Sequence, residues 1–321
     1  MFNNRLVSIF PKALFKRVLF YFKKGGFMSN HTSKLVRAMQ GWNEALRSYT
    51  DPPKGVFGRR AIIESWAVTL DSDEIDFDFV VKFDDDLEAN ECEITVYNLS
   101  KNTIKNLLYN KPLTITAGYK GDTGVIFKGY ISKVKTKKEG CDKVTTIYCL
   151  DSFDLQERDL ANVTYAAGTT ASYILKDLIN KTHLPIAVFE PRRNHTYEDE
   201  VSISSGLMDS IREYSEVCGI STYINNGKVY AQHISKGTNG YFNLNVDTGL
   251  INSPSEYEEE ITAEDYSDTV KGLEIECLLQ HRITTGSVVK VTSNDHNGEY
   301  RVRSGTHTFS PDEAITKIKV M

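Results

Sequence analysis

The chain has 321 residues and a mass of 36.2 kDa, which is long for one core and suited to two or three. A composition 40% apolar and 25% charged excludes a disordered chain, and no run of about 18 uninterrupted apolar residues exists to cross a membrane as a helix. The net charge of −5 is uneven: residues 1–27 hold six basic groups and no acid, so 28–321 stands at −11, a poor nucleic-acid binder because phosphate affinity comes from Lys and Arg displacing counterions.

The first segment, "MFNNRLVSIFPKALFKRVLFYFKKGGF", is basic and apolar. Lys12, Lys16 and Arg17 interrupt its apolar stretch and no small-residue cleavage site follows, which argues against a secretory signal. A membrane-surface helix is one reading. The other is an upstream extension: Lys24-Gly25-Gly26 can be encoded by a purine-rich ribosome-binding sequence, so translation is expected to begin at Met28 and 1–27 to stay unfolded. Residues 28–60 read as a helix and linker. Leu35, Met39, Trp42, Leu46 and Tyr49 recur at steps of three and four, with Thr32 or Ser33 as cap, and "TDPPKG" stops the helix.

From 61 to 160 the period becomes two. Ile62, Trp66, Val68 and Leu70 are expected on one strand face; Ile75, Phe77, Phe79, Val81 and Phe83 alternate with Asp76, Asp78 and Lys82. "CEITVYNLS", "LTITAGYKG", "GVIFKGYISKVKT" and "KVTTIYCLD" follow, with a short helix in "NLSKNTIKNLLYNK" capped by Ser100. Short strands at this spacing predict an antiparallel barrel or sandwich.

Residues 161–235 hold two helix–strand units. Tyr173, Leu175, Leu178 and Ile179 are expected inward on the first helix; Leu207, Ile211, Tyr214 and Val217 on the second, which Gly219 stops. Asn225-Asn226-Gly227 predicts a hairpin, and "RRNHTYEDE" at 192–200 a mobile polar linker. From 236 to 321 the period returns to two in "YFNLNV", "TVKGLEIECLL", "SVVKVTS", "GEYRVRSGTHTF" and "AITKIKV". The acidic "SPSEYEEEITAEDYSD" reads as a solvated loop, and Asn297-Gly298 as a tight turn. The fold class is thus α+β, mainly β, in the order β domain, small α+β domain, β domain.

No site with chemistry emerges. G-x-S-x-G, P-loop, H-E-x-x-H and EF-hand spacings are missing from the sequence. Gly118, Gly121 and Gly124 lie between strands and open no helix, so a hairpin is expected rather than a phosphate cradle. Asp84-Asp85-Asp86 reads as a solvated turn before it reads as a cation site, since adjacent side chains diverge. His281, His296 and His307 lack ligand-like spacing. Glu256, Glu258, Glu259 and Glu260 read as loop charges rather than a hydrolytic pair, and Lys133, Lys135, Lys137 and Lys138 as an exposed face. The five cysteines, Cys92, Cys141, Cys149, Cys218 and Cys277, are odd in number and form no C-x-x-C, which fits buried thiols in a chain folded in a reducing cytoplasm. No catalytic, cofactor-binding or metal residue is assigned.

Two stretches carry a resemblance. "EITVYNLSKNTIKNL" with "LTITAGYKGDTGVIFKGYISKVKTKKEGCDKVTTIYCLD", within 93–151, resembles the first domain of phage baseplate hub proteins: a strand ending "YNLS", a short helix, an "AGY-G-GVIF-G-I" hairpin and a closing Asp. "TGLINSPSEY" with "VKGLEIECLLQHRITTGSVVKVTSNDHNGEYRVRSGTHTF", within 248–309, is similar to that family's second tube-type domain, with "GLI-SP", "NG-Y-V" and a late His. After that His the family often has "GDT", whereas this chain has Thr308-Phe309-Ser310.

The resemblance implies a structural virion protein of the tail baseplate with no enzymatic activity, no cofactor and no membrane insertion. It implies a homotrimer whose two tube-type barrels per chain form a six-membered ring. That ring would adapt a six-fold tail tube to a three-fold central spike, contact tape measure and baseplate wedge proteins, and leave a channel through which DNA passes without sticking. The spike is expected on another chain, since no needle-like repeat follows residue 321. A tail-carried cell-wall hydrolase and a receptor- or carbohydrate-binding tail-tip module are the rival readings; a hub of a non-contractile tail or a secretion-type injection machine is the nearest neighbour.

Overall fold

In the computed structural model the described residues are 58–152, 163–233, 235–237, 240–263 and 266–321, with the backbone alone for 259–263 and 266–270. The expected start at Met28 and the expected helix at 32–49 lie outside them.

The first β region contains β1 (Arg59–Ser65), β2 (Val68–Asp71), β3 (Phe77–Phe83), β4 (Glu91–Tyr97), β5 (Pro112–Tyr119), β6 (Asp122–Glu139) and β7 (Asp142–Leu150), with α1 (Lys101–Asn106) between β4 and β5. The α+β region contains β8 (Val163–Tyr165), α2 (Ala171–Lys181), β9 (Ile186–Phe189), β10 (Val201–Ile203), α3 (Leu207–Val217), β11 (Ser221–Asn225) and β12 (Lys228–Gln232). The last region contains β13 (Tyr241–Leu244), β14 (Ser255–Ala263), β15 (Tyr266–Leu278), β16 (Val288–Thr292), β17 (Asn297–Phe309) and β18 (Ala314–Val320).

Local chemistry explains most of these elements. Phe77, Phe79, Val81 and Phe83 alternate into the core along β3. Ser100 caps α1 by accepting the Thr103 amide at 3.0 Å. Ile174, Leu175, Leu178 and Ile179 bury one stripe of α2, and Leu207, Ile211 and Tyr214 one stripe of α3. Asn226 and Gly227, both at positive φ (49° and 68°), form the two-residue turn of the β11–β12 hairpin.

The two β regions share one plan. In the first, β3–β4–β7–β6–β5 are neighbours in that order; in the second, β14–β15–β18–β17–β16 are. All these pairings are antiparallel. In each unit one long strand changes partner along its length. β6 pairs with β5 over its first half and β7 over its second, with a register shift between Ile131 and Lys133. β17 does the same with β16 and β18, with a shift between Val302 and Ser304. The shifts occupy matching positions, and such bulges let a strand bend between two sheets. β3 pairs with β17, so the two units merge into one 13-stranded sheet. No pair closing either unit into a barrel occurs among the described residues.

Several expectations are corrected. Trp66 is 71% exposed because Trp66-Ala67 is the turn joining β1 to β2; Ala61 and Ile63, not Ile62, face the core. Tyr173 is 63% exposed, one position off the α2 stripe that Ile174 fills. The acidic stretch expected to be a loop forms strand β14, paired with β15 from Ser255↔Glu274 to Ala263↔Tyr266; charge at an outer strand is compatible with pairing along the other edge. Asn297-Gly298 opens β17, and the turn is Ser293–His296. The 192–200 segment is docked: the Asn194 side chain and the His195 carbonyl accept the first-turn amides of Ser172 and Ala171, and Arg192 and Arg193 donate to the Cys218 carbonyl.

Candidate assembly site

The residues that fix the two units to each other are the ones that decide what the sheet can present. Along the β3–β17 seam, His307 faces Val81, Gly305 faces Phe83 and Phe309 faces Phe79. His307 is fully buried, its ring 4.8 Å from that of Phe83. Burial pushes its pKa down to about 4, against a hydrogen bond to the Ile283 carbonyl, so the imidazole is neutral. A neutral ring has one donor and one acceptor. With the carbonyl taking the N–H, the Thr316 hydroxyl, 2.8 Å from Nδ1, is the donor, and Thr316 in turn accepts the Gln280 amide at 3.0 Å.

A second tie lies beside it. Asp122, at the start of β6, holds Arg282 through two bonds of 2.5 and 2.7 Å, which keep its carboxyl below the usual range. His281 packs so closely on Gly124 that a Cβ there would lie 2.0 Å from its ring. Tyr119 donates to the Ala314 carbonyl at 3.1 Å.

The third tie is the β3–β4 loop, which joins all three regions. Asp85 accepts from Arg301 at 2.8 Å and lies 3.4 Å from Arg303. Arg301 is buried, with its guanidinium 5.6 Å from the ring of Tyr223 on β11. Asn90 donates through its amide and side chain to both oxygens of Asp151 (2.9 and 3.0 Å), and also to the Ile224 carbonyl at 3.1 Å. Ile224 returns a bond to the Asp86 carbonyl, and Asn225 bonds Thr284. Burial first, then Asp86, raises Asp84 to about 7. A buried polar network of this kind fixes geometry because each member left alone would be costly.

Among the described residues the joint leaves a cleft and strand edges without a strand partner. Beyond Ile131 no described strand pairs with the side of β6 away from β7, and none pairs with the side of β14 away from β15. A cleft of about 510 Å³ opens between Arg59, Ser72, Ile75, Phe77, Tyr119 and Phe309.

The baseplate hub gp41 family model matches residues 80–306, more than half of the chain. The chain belongs to that family. It is therefore a phage tail protein of the baseplate hub, a virion component with a structural role at the tail tip. Solved structures agree at the level of fold. The hub is similar to the 43 kDa tail protein of prophage MuSo2 from Shewanella oneidensis (8% identity, TM-score 0.59, covering 82% of this chain and 97% of that one). It is also similar to a tail protein from Neisseria meningitidis (9%, 0.57, 82% and 96%). A third is an Escherichia coli type VI secretion component described as structurally similar to phage T4 tail proteins gp27 and gp5 (11%, 0.56, 81% and 76%). No curated protein sequence is a significant match.

The residues weighed from sequence fall differently in the hub. Asp84, Asp85 and Asp86 sit in the joint, with Asp85 turned inward to Arg301 rather than solvated. His281 and His307 lie at the seam, while His296 is in a turn. Among the described residues no group of three or more His, Cys, Asp or Glu could hold a metal, and no helix is long and apolar enough to cross a membrane. Gly118 and Gly121 serve the β5–β6 hairpin, whose pairing runs to Tyr119↔Asp122. Lys133, Lys135, Lys137 and Lys138 line β6 and are exposed, and Glu256 and Glu258 are exposed on β14. Cys92, Cys149, Cys218 and Cys277 are buried and Cys141 is exposed; all are free thiols. Sequence reasoning passed over Asn90, Arg282 and Arg301. Arg301 and Asp85 are 216 positions apart, so no local spacing reveals the pair. The closing Asp of the family pattern, Asp151, is the residue that Asn90 grips in this joint.

Proposed function

We propose that the hub is a homotrimeric ring in which each chain supplies two tube-type units, bounded at about 61–160 and 236–321, around the 161–235 domain. The observation that carries this reading is the repeat itself. Within the chain, the second half of β17 from the later unit pairs with β3 of the earlier unit. Among the described residues no strand takes the corresponding place beside the second half of β6 in the earlier unit or beside β14 in the later. A contact used once and open at both ends propagates head to tail, and closes as a ring if the rotation allows.

Three chains then present six similar units. Such a ring matches a six-fold tail tube on one face and a three-fold spike on the other, with tape measure and wedge proteins as further neighbours. Closure of the sheets into barrels is completed by the assembly instead of within one unit. The net charge of −11 over 28–321 suits a channel through which DNA passes without being held. Free cysteines fit synthesis in the host cytoplasm. The role is structural, with no residue assigned to catalysis.

Electron microscopy of the purified full-length hub tests this. Annular particles with three-fold averages and a six-lobed outline are expected; compact particles without a central channel would overturn the reading.

A further inference from the structure

We infer that one corner of the first β region, built from the β1–β2 turn and the loop between α1 and β5, is a docking surface for a protein other than the hub. Its occupant is an acidic chain segment carrying apolar side chains. The corner occurs once per chain, so three such segments meet each ring. That count rests on the ring reading; the surface itself does not.

The two loops adjoin. Ser65, just before the turn, pairs with Leu113, and its Oγ donates to the Pro112 carbonyl at 2.9 Å. Lys111 reaches back so that its Nζ lies 5.2 Å from the centre of the Trp66 ring. Backbone bonds of 2.8 and 3.0 Å pin Asn110 and Lys111 to Ile131 on β6. On this fixed frame Trp66, Tyr109 (76%) and Leu108 (45%) are exposed, whereas Leu107 beside them is buried in the core. Large apolar side chains gathered on a rigid corner are what the centre of an interface is made of. The repeat shows the same connection at work as a contact. Its counterpart in the later unit, Leu279–Ser287 between β15 and β16, carries no helix and is covered within the chain. Ile283, Thr285 and Ser287 are buried there, Arg282 meets Asp122 and Thr284 meets Asn225. The β1–β2 turn has no counterpart, because β13 runs parallel to β16 where β1 runs antiparallel to β5.

Charge selects the occupant. Residues 64–67 and 98–114 hold Lys101, Lys105 and Lys111 against Glu64 alone, in a chain whose 28–321 stands at −11. A local basic excess of this kind attracts an acidic segment and rejects a basic one. An anionic bilayer would meet the same lysines, but the acidic body behind them repels it. A sugar is disfavoured because Lys111 lies over the Trp66 ring on which a pyranose would stack. A second hub is disfavoured because a contact closing a ring of similar units would use both units alike, and this corner belongs to one.

The test places the photo-reactive residue benzoylphenylalanine at Tyr109 in full-length hub carried by intact tail particles. Illumination is expected to join the hub to a different protein, at a segment that mass spectrometry reads as net negative with apolar residues, in one copy per hub chain. Lys105→Glu with Lys111→Glu, and separately Trp66→Ala with Tyr109→Ala, should each lower retention of that protein on the particles at least 10-fold while the mass of the hub assembly is unchanged. Reversing the acids of the trapped segment to Lys should restore its retention on the Lys105→Glu, Lys111→Glu hub. Cross-links to a second hub, to lipid, or to a neutral or basic segment, or no cross-link at all, would overturn the docking surface. A wild-type hub that stays monomeric would instead overturn the ring reading and the count of three, while a trapped acidic segment would still support the surface.

Discussion

Arg301 is a buried guanidinium paired with a carboxylate from the β3–β4 loop. Its side chain is 3% exposed, and Asp85 is the carboxylate that meets it, at 2.8 Å. Asp85→Ala should therefore cost about 3–5 kcal/mol of stability, the penalty for a buried charge stripped of its partner, read by urea denaturation. His307 gives a pH dependence. Its pKa is about 4 in the fold, against about 6.5 in the unfolded chain. Between those values the unfolded chain binds the extra proton, so the contribution is complete above about pH 6.5 and is lost as pH falls toward 4, an effect on the order of 3 kcal/mol. Denaturation midpoints should drop across that window, and His307→Gln should flatten the drop. At this scale the sequence is nearly silent. A buried His bonded to Thr316 and an exposed one are the same letter, and only the fold distinguishes them.

Elements were legible where a period was clean. Phe77, Phe79, Val81 and Phe83 announce β3, and the capped stripe of Leu207, Ile211 and Tyr214 announces α3. The phase failed by one residue at β1, where the Trp66-Ala67 turn breaks the alternation, and β14 was hidden because its glutamates read as a loop. The close approach between elements was not legible either. Gly124 on β6 admits the His281 ring, and Gly124→Val would force side chain and ring into the same space. Overpacking of this kind typically costs about 1–3 kcal/mol, so the variant should melt several degrees lower in calorimetry. It should do so without loss of β-sheet signal, because the strands pair elsewhere along their lengths.

The order of the whole molecule, β region then α+β region then β region, could be read from the change of period along the chain. Its closure could not. The β3–β17 pairing brings together Val81 and His307, and that single ladder joins the two β regions into one continuous sheet. In the proposed ring the two β units of one chain are a third of the circle, and the account stands on copies of the chain completing it. The most direct measurement is the absolute mass of the full-length hub by light scattering at low salt. A species of three chains is the predicted result. A stable monomer at high concentration would contradict the account.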